Sequence, residues 1–333
     1  MENAGKQGGG IVTVSDMNRH LASDQLESLY LFYGPEEYLK DFYISGLQQK
    51  AIGSDRLNYF KFQDRTEPAE IQEACEAISM FGDKKFILVN RSGLLKGAAK
   101  ELTFLDRLHT YDVCLVFRED EADKRSKLFK QISALGIAFE CARQGEDMIY
   151  KILSKAAKSN GRMISRGAVS LMVTGIGDDL VRLMQELDKL VLLTVQGETI
   201  EEAHVRSVCA LSVAAKIFDV TDAIAMKNRE KAFLSLRALI EDKEPPQLIL
   251  TMISRHWLQL YHVKKLTDEG ISQNALSERL GLKGFIAKKL QLQAKHFTLS
   301  EIKNKIDACL SLDEAVKNGS VKDVTAIELL VMQ

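Results

Sequence analysis

Between residues 28 and 142 the chain alternates between short apolar runs and stretches of helical periodicity. The runs are Leu29-Tyr30-Leu31-Phe32-Tyr33, Tyr59-Phe60-Lys61-Phe62, Phe86-Ile87-Leu88-Val89, Val113-Cys114-Leu115-Val116-Phe117 and Ile137-Ala138-Phe139-Glu140. Short apolar runs closed by turn residues, as Gly34-Pro35 closes the first, read as strands buried on both faces. Strands alternating with helices predict a parallel sheet covered on both sides, and hence an α/β domain over residues 27–142. Residues 1–26 open with a glycine-rich stretch that predicts a loose tail.

After Cys141 the strand signal disappears. Gly177-Asp178-Asp179 introduces a helix whose apolar positions Leu180, Leu183, Met184, Leu187, Leu190 and Val191 fall on one face, and Gly197 breaks the pattern. Residues 143–210 are therefore expected to form a small helical domain. Further helical stripes at 218–225, 232–240, 248–266, 286–294 and 302–316 predict a second helical domain over 211–333, with Pro245-Pro246 separating two of its helices. The fold class is thus α/β plus all-α, and 333 residues suit two or three domains better than one core.

Composition removes several function classes. A net charge of −1 confines any nucleic-acid surface to a local patch. No run of about 18 apolar residues suggests a membrane span, and the N-terminus lacks the charged and apolar regions of a secretory signal. Cys75, Cys114, Cys141, Cys209 and Cys309 are scattered, with no CxxC pair, which points to buried thiols in a cytoplasmic protein. The six histidines show no metal-ligand spacing, and His256 beside Trp257 reads as a partly buried helical pair. Glu119-Asp120 reads as part of a solvated, charge-rich turn. No catalytic residue, metal site or cofactor is expected.

One loop has the outline of a phosphate site without its chemistry. Residues 34–41, Gly-Pro-Glu-Glu-Tyr-Leu-Lys-Asp, follow a strand and open a helix, as does the pattern GxxxxGK[ST]. Gly34 and Lys40 match. Leu39 replaces the second glycine, whose backbone would wrap the phosphates. Asp41 replaces the hydroxyl residue that would hold magnesium. Glu36 and Glu37 would repel a polyphosphate. The later strand at 86–89 ends in Asn90-Arg91 rather than in an acid, and no Ser-Arg-Cys triplet supplies an arginine finger.

Residues 66–83 predict a helix begun by Thr66 and Pro68 and ended by Gly82. At about 100° per residue, Ile71, Ala74, Cys75 and Ile78 form a core stripe. Met80 projects among Glu73 and Glu76 on the opposite face, and Phe81 lies to one side. Such an apolar pair is either a satellite packing contact or a docking knob.

Four segments together resemble the delta subunit family of bacterial DNA polymerase III clamp loaders. They are Tyr33-Gly34-Pro35-Glu36-Glu37-Tyr38-Leu39-Lys40-Asp41, Ala77-Ile78-Ser79-Met80-Phe81, the stretch from Ala214 to Ala223, and Leu276-Ser277-Glu278-Arg279-Leu280-Gly281-Leu282 followed by Phe285-Ile286-Ala287-Lys288-Lys289. The resemblance spans residues 28–332. It implies an AAA+-type module with a degenerate phosphate loop, a helical lid and a helical collar. It implies that Ile78, Ser79, Met80 and Phe81 dock in a pocket of the beta sliding clamp, which the subunit springs open. Met80 stands where the family often has Leu, and a methionine is flexible enough to fill the same pocket. The implied partners are the gamma/tau ATPase subunits, delta-prime and primer-template DNA inside the complex. No ATP hydrolysis of its own is expected, although the assembly belongs to a DNA-directed DNA polymerase, a nucleotidyltransferase.

Two other readings start from the residues. An active nucleotide hydrolase is opposed by Leu39 and Asp41. A stand-alone DNA-binding protein draws on the eight Lys/Arg against three Asp/Glu between Arg255 and Lys295, and on a helix-turn-helix-like segment from Ala275 to Leu282. Lys283, Lys288 and Lys289 are the candidate DNA-facing residues; the alternative is a solvated basic face between collar helices.

Overall fold

The computed structural model describes residues 10–55, 57–79, 84–97, 101–282 and 284–332. They fall in two compact units, Met1–Arg143 and Gln144–Gln333.

The first unit runs β1 (Gly10–Val12), α1 (Val14–Ala22), β2 (Leu29–Tyr33), α2 (Glu37–Ile52), β3 (Tyr59–Gln63), α3 (Pro68–Glu76), β4 (Lys85–Asn90), a 3-10 segment (Thr103–Thr110), β5 (Val113–Glu119), α4 (Lys127–Leu135) and β6 (Ile137–Glu140). All pairings are parallel, in the order β1-β6-β2-β5-β4-β3. One face packs Leu31, Ile87, Val89, Leu115 and Phe117 against Ile71 and Cys75 of α3 and Leu128, Phe129 and Ile132 of α4. On the other, Tyr43 of α2 lies edge-on to Phe139 at 5.1 Å and stacked with Phe32 at 6.3 Å. Burial on both faces accounts for apolar runs without alternation.

Two expectations change. Residues 10–22 are not tail: β1 pairs with β6, α1 is closed by a reciprocal Thr13–Asp16 capping box, and Met17 is buried. A three-residue strand is too short to show a period, and its partner lies far along the chain. The predicted helix 66–82 also stops early, at Glu76.

Strand β2 lies between β5 and β6, yet the chain leaves it through α2 for β3 at the far edge. Its carboxyl end is therefore the switch point of the sheet, where ligands of open α/β folds bind.

The second unit comprises α5 (Glu146–Ser159), β7 (Met163–Ile164), α6 (Arg166–Ile176), α7 (Leu180–Leu193), β8 (Thr199–Ile200), α8 (Glu202–Val208), α9 (Val213–Ala225), α10 (Arg229–Glu241), α11 (Pro246–Asp268), α12 (Gln273–Leu280), α13 (Gly284–Ala294), α14 (Leu299–Lys317) and α15 (Asp323–Met332). Asp179 caps α7, and Leu180, Leu183, Leu187 and Leu190 are buried. Contrary to the expected loss of strands, β7 and β8 pair in parallel; two residues each leave no readable alternation. Pro246 opens α11 at a position where its missing N–H costs nothing. Trp257 is the largest fully buried side chain, in a core drawn from α9 to α15. All five cysteines are buried and free. Among the described residues no helix is long and apolar enough to cross a membrane.

Candidate functional site

At the switch point, β2 ends at Tyr33 and the chain turns at Gly34, whose φ is +117°. A Cβ there would lie 2.6 Å from the carbonyl oxygen of Cys141, so this position demands glycine. Glu36 N donates to that same carbonyl at 2.9 Å and ties the loop to the segment after β6. Leu39, at the place of the second phosphate-loop glycine, is buried in the core.

Lys40 is wholly buried. Its Nζ lies 2.6 Å from Glu37 Oε1 and 3.6 Å from Asp120 Oδ1, and it donates to the carbonyl of Glu119 at 3.2 Å. Arg118, from β5, reaches Glu37 at 2.6 Å and Asp41 at 2.5 Å. Arg143 pairs with buried Glu36 at 3.0 Å. Partial burial opposes ionisation of Glu37, but hydrogen bonds from Lys40 and Arg118 outweigh it and hold the carboxyl below its ordinary range. The acids expected to repel a polyphosphate thus do more than that: Glu37 takes the charge that a phosphate would take from the lysine.

Strand β4 ends at Asn90 without an acid, as expected. The neighbouring strand carries one, at a position that sequence alone assigns to a solvated turn. Glu119 belongs to β5, is buried, and accepts from Ser92 N at 2.9 Å and Ser92 Oγ at 2.5 Å. Burial raises its pKa. Asp120 bridges Lys40 and Arg91. Neither was legible, because the sequence does not show that β5 runs two residues beyond its apolar run. Among the described residues no three His, Cys, Asp or Glu side chains are grouped to hold a metal ion.

The second site lies beyond α3. Ile71 and Cys75 are buried, as the stripe predicts. Ile78 is not part of that stripe: it lies past the helix end and is 94 % exposed. Ser79 Oγ donates to Asn58 Oδ1 at 3.1 Å. Met80 and Phe81 lie outside the described residues, as does Gly82, the expected helix stop.

In the second unit, Lys288 is exposed. Lys289 is not free to face DNA: its Nζ sits 4.8 Å from the centre of the Phe218 ring and 3.8 Å from Asp222. Lys283 lies outside the described residues. The helix-turn-helix-like segment is α12, a left-handed Gly281 and α13, with Leu276 and Leu290 in the core of the unit.

Two family models match the chain. "DNA polymerase III, delta subunit" covers residues 30–142, and "DNA polymerase III delta subunit, C-terminal domain" covers residues 214–333. The chain belongs to the DNA polymerase III delta subunit family. Among its delta-family relatives are the DNA polymerase III subunit delta of Bacillus subtilis (21% identical, 96% of each chain) and a probable subunit delta of Aquifex aeolicus (24% identical, 86% of this chain and 85% of the relative). The solved Bacillus subtilis clamp loader delta protein shares the fold at a TM-score of 0.57, with 21% identity, over 96% of this chain and 99% of that one. The delta family's two models thus cover the Gly34–Asp41 loop and Ile78 in one segment and most of α9 to α15 in the other.

Proposed function

We propose that this chain grips and opens a ring-shaped sliding clamp, and that it hydrolyses no nucleotide in doing so. The observation that carries the reading is Ile78, an apolar side chain almost fully in water, separated in sequence from Met80 and Phe81 by Ser79 alone. Isolated exposed apolar residues are ordinary, but one in a held segment whose sequence continues with Met80-Phe81 fits an anchor for a pocket. The self-neutralised loop supports a module that takes its motion from ATPase neighbours instead of from its own nucleotide. The parallel sheet with that loop at its switch strand fits an AAA+-type module, with residues 143–210 as a lid and 211–333 as a collar that joins gamma/tau and delta-prime. Exposed Lys288 fits weak contact with primer-template DNA inside that assembly.

Capture of the chain by its cognate sliding clamp, with the parent protein and with Ile78→Asp, tests the reading. Retention of the parent and loss of the variant are expected. Equal retention of both, or of neither, defeats the assignment of the tip.

A further inference from the structure

Helix α3 ends without the left-handed glycine that closes many helices. Ala77 leaves it with φ −55° and ψ 138°, an extended conformation. Its last carbonyls turn instead to one side chain from the next strand. Lys85, the first residue of β4, is only 3 % exposed. Its ammonium donates to the carbonyl oxygens of Ala74 at 2.7 Å and Cys75 at 2.8 Å, and to that of Ala77. An ammonium has three donors, and here each meets a carbonyl at the negative end of a helix.

Two residues later the chain is held again. Ser79 Oγ donates to Asn58 Oδ1 at 3.1 Å. Asn58 is itself fixed: its Nδ2 donates to Asp55 Oδ2 at 2.9 Å, and its carbonyl accepts from Phe86 N at 2.8 Å. The segment is therefore pinned at Ala77 by Lys85 and at Ser79 by Asn58. Ile78, between the two pins, is the most exposed large apolar side chain among the described residues. Both pins rest on the β3–β4 edge of the sheet, so the sheet itself carries the exposed residue. A backbone so held loses little further freedom when a partner covers the side chain it carries.

We propose that Lys85 and Asn58 are positioning residues for partner binding: Lys85 stops α3 at Glu76, and the two together hold residues 77–79 in place, so that the partner meets Ile78 already presented. The partner is the sliding clamp, and in this the inference rests on the proposed function. Without the pins, only a fraction of molecules presents the tip correctly, and the apparent affinity falls by that fraction.

The test compares Lys85→Met, Lys85→Arg, Asn58→Ala and Ile78→Asp in the full chain. It measures clamp affinity well below the melting temperature, and amide hydrogen exchange over residues 77–79. Lys85→Met and Asn58→Ala should each weaken clamp binding about tenfold, as expected if roughly one molecule in ten then presents the tip. Exchange at 77–79 should speed up in the free protein and slow again in the complex. Lys85→Arg, which keeps donors at that position, should recover part of the loss. A purely structural role for the two residues would change stability without this pattern of exchange. If Lys85→Met does not fold, Asn58→Ala decides alone, since it leaves the helix end untouched. Parent-like affinity in the pin variants, with binding lost in Ile78→Asp, overturns the positioning role and leaves the proposed function standing. Parent-like affinity in Ile78→Asp and in the double change Met80→Ala, Phe81→Ala overturns the proposed function itself.

Discussion

Lys40 and Glu37 face each other one turn apart on α2, the ammonium 2.6 Å from the carboxylate, with the lysine wholly buried and the glutamate open to solvent on one side. An ammonium that would bind phosphate in a working loop is already neutralised. Titration with MgATP should give no saturable signal and no hydrolysis. Micromolar binding that vanishes on Lys40→Ala would defeat this account.

The same pair contributes to stability. Glu37→Ala should cost about 1–3 kcal/mol, less than for a fully buried pair because solvent screens the half-exposed carboxylate. Arg118 loses a partner in the same change. The contribution is full at neutral pH and is lost as pH falls through the lowered Glu37 pKa. Urea denaturation of parent and variant at pH 7 reads the difference.

Stability and partner affinity should separate along α3. Ile71→Ala removes a core side chain and should cost about 2–4 kcal/mol with clamp affinity retained. Ile78→Ala should do the reverse. The double change Met80→Ala, Phe81→Ala should weaken clamp binding at least about a hundredfold, since each anchor contributes roughly 1.5–3 kcal/mol in a pocket. Denaturation and binding measured on the same samples distinguish the two effects. An Ile71 variant that loses affinity at full stability would contradict the division.

His256 is buried on α11 with Nε2 2.6 Å from Gln293 Oε1 and its ring edge-on to Phe218 at 4.7 Å. Burial pushes its pKa down to about 4; the hydrogen bond to Gln293 works the other way, and the charge of Lys289 adds to the depression. The folded protein keeps the ring neutral while the unfolded chain protonates near 6.5. The unfolded state therefore binds more protons as pH falls from about 6.5 to about 4, and stability drops across that window by on the order of 3 kcal/mol. Below it the term is constant. His256→Gln should flatten this part of the pH dependence, measured as the difference between parent and variant at pH 7 and pH 4.5.

Lys288 and Lys289, adjacent in sequence, should behave differently. Lys289→Ala removes a cation held over the Phe218 ring, worth about 0.5–2 kcal/mol, and leaves Asp222, whose pKa burial already raises, without that base. It should lower stability. Lys288→Ala should leave stability unchanged and, if the residue meets a phosphate in the assembled loader, reduce the salt dependence of DNA binding by about one unit of slope. Salt titrations with primer-template DNA and thermal melts assign each residue.

What the sequence determined by itself is what local chemistry encodes. The five strands of apolar run 29–33 and its successors, the capped start of α7, the proline start of α11 and the departure from the phosphate-loop pattern at Leu39 and Asp41 all follow from residues within a few positions of one another. The tertiary structure decided the rest, for a common reason. Residues 10–12 become a strand only because β6 offers an edge to pair with. Glu37 gains a second cation only because the sheet carries Arg118 to α2. Ile78 belonged to a helical stripe by period, yet α3 stops before it, because Lys85 returns along β4 to take the carbonyls that the next turn would have used. Helical periodicity records which face a residue would take if the helix continued. Whether it continues depends here on a hydrogen-bond donor from another strand, and nothing within one turn of Ile78 encodes that.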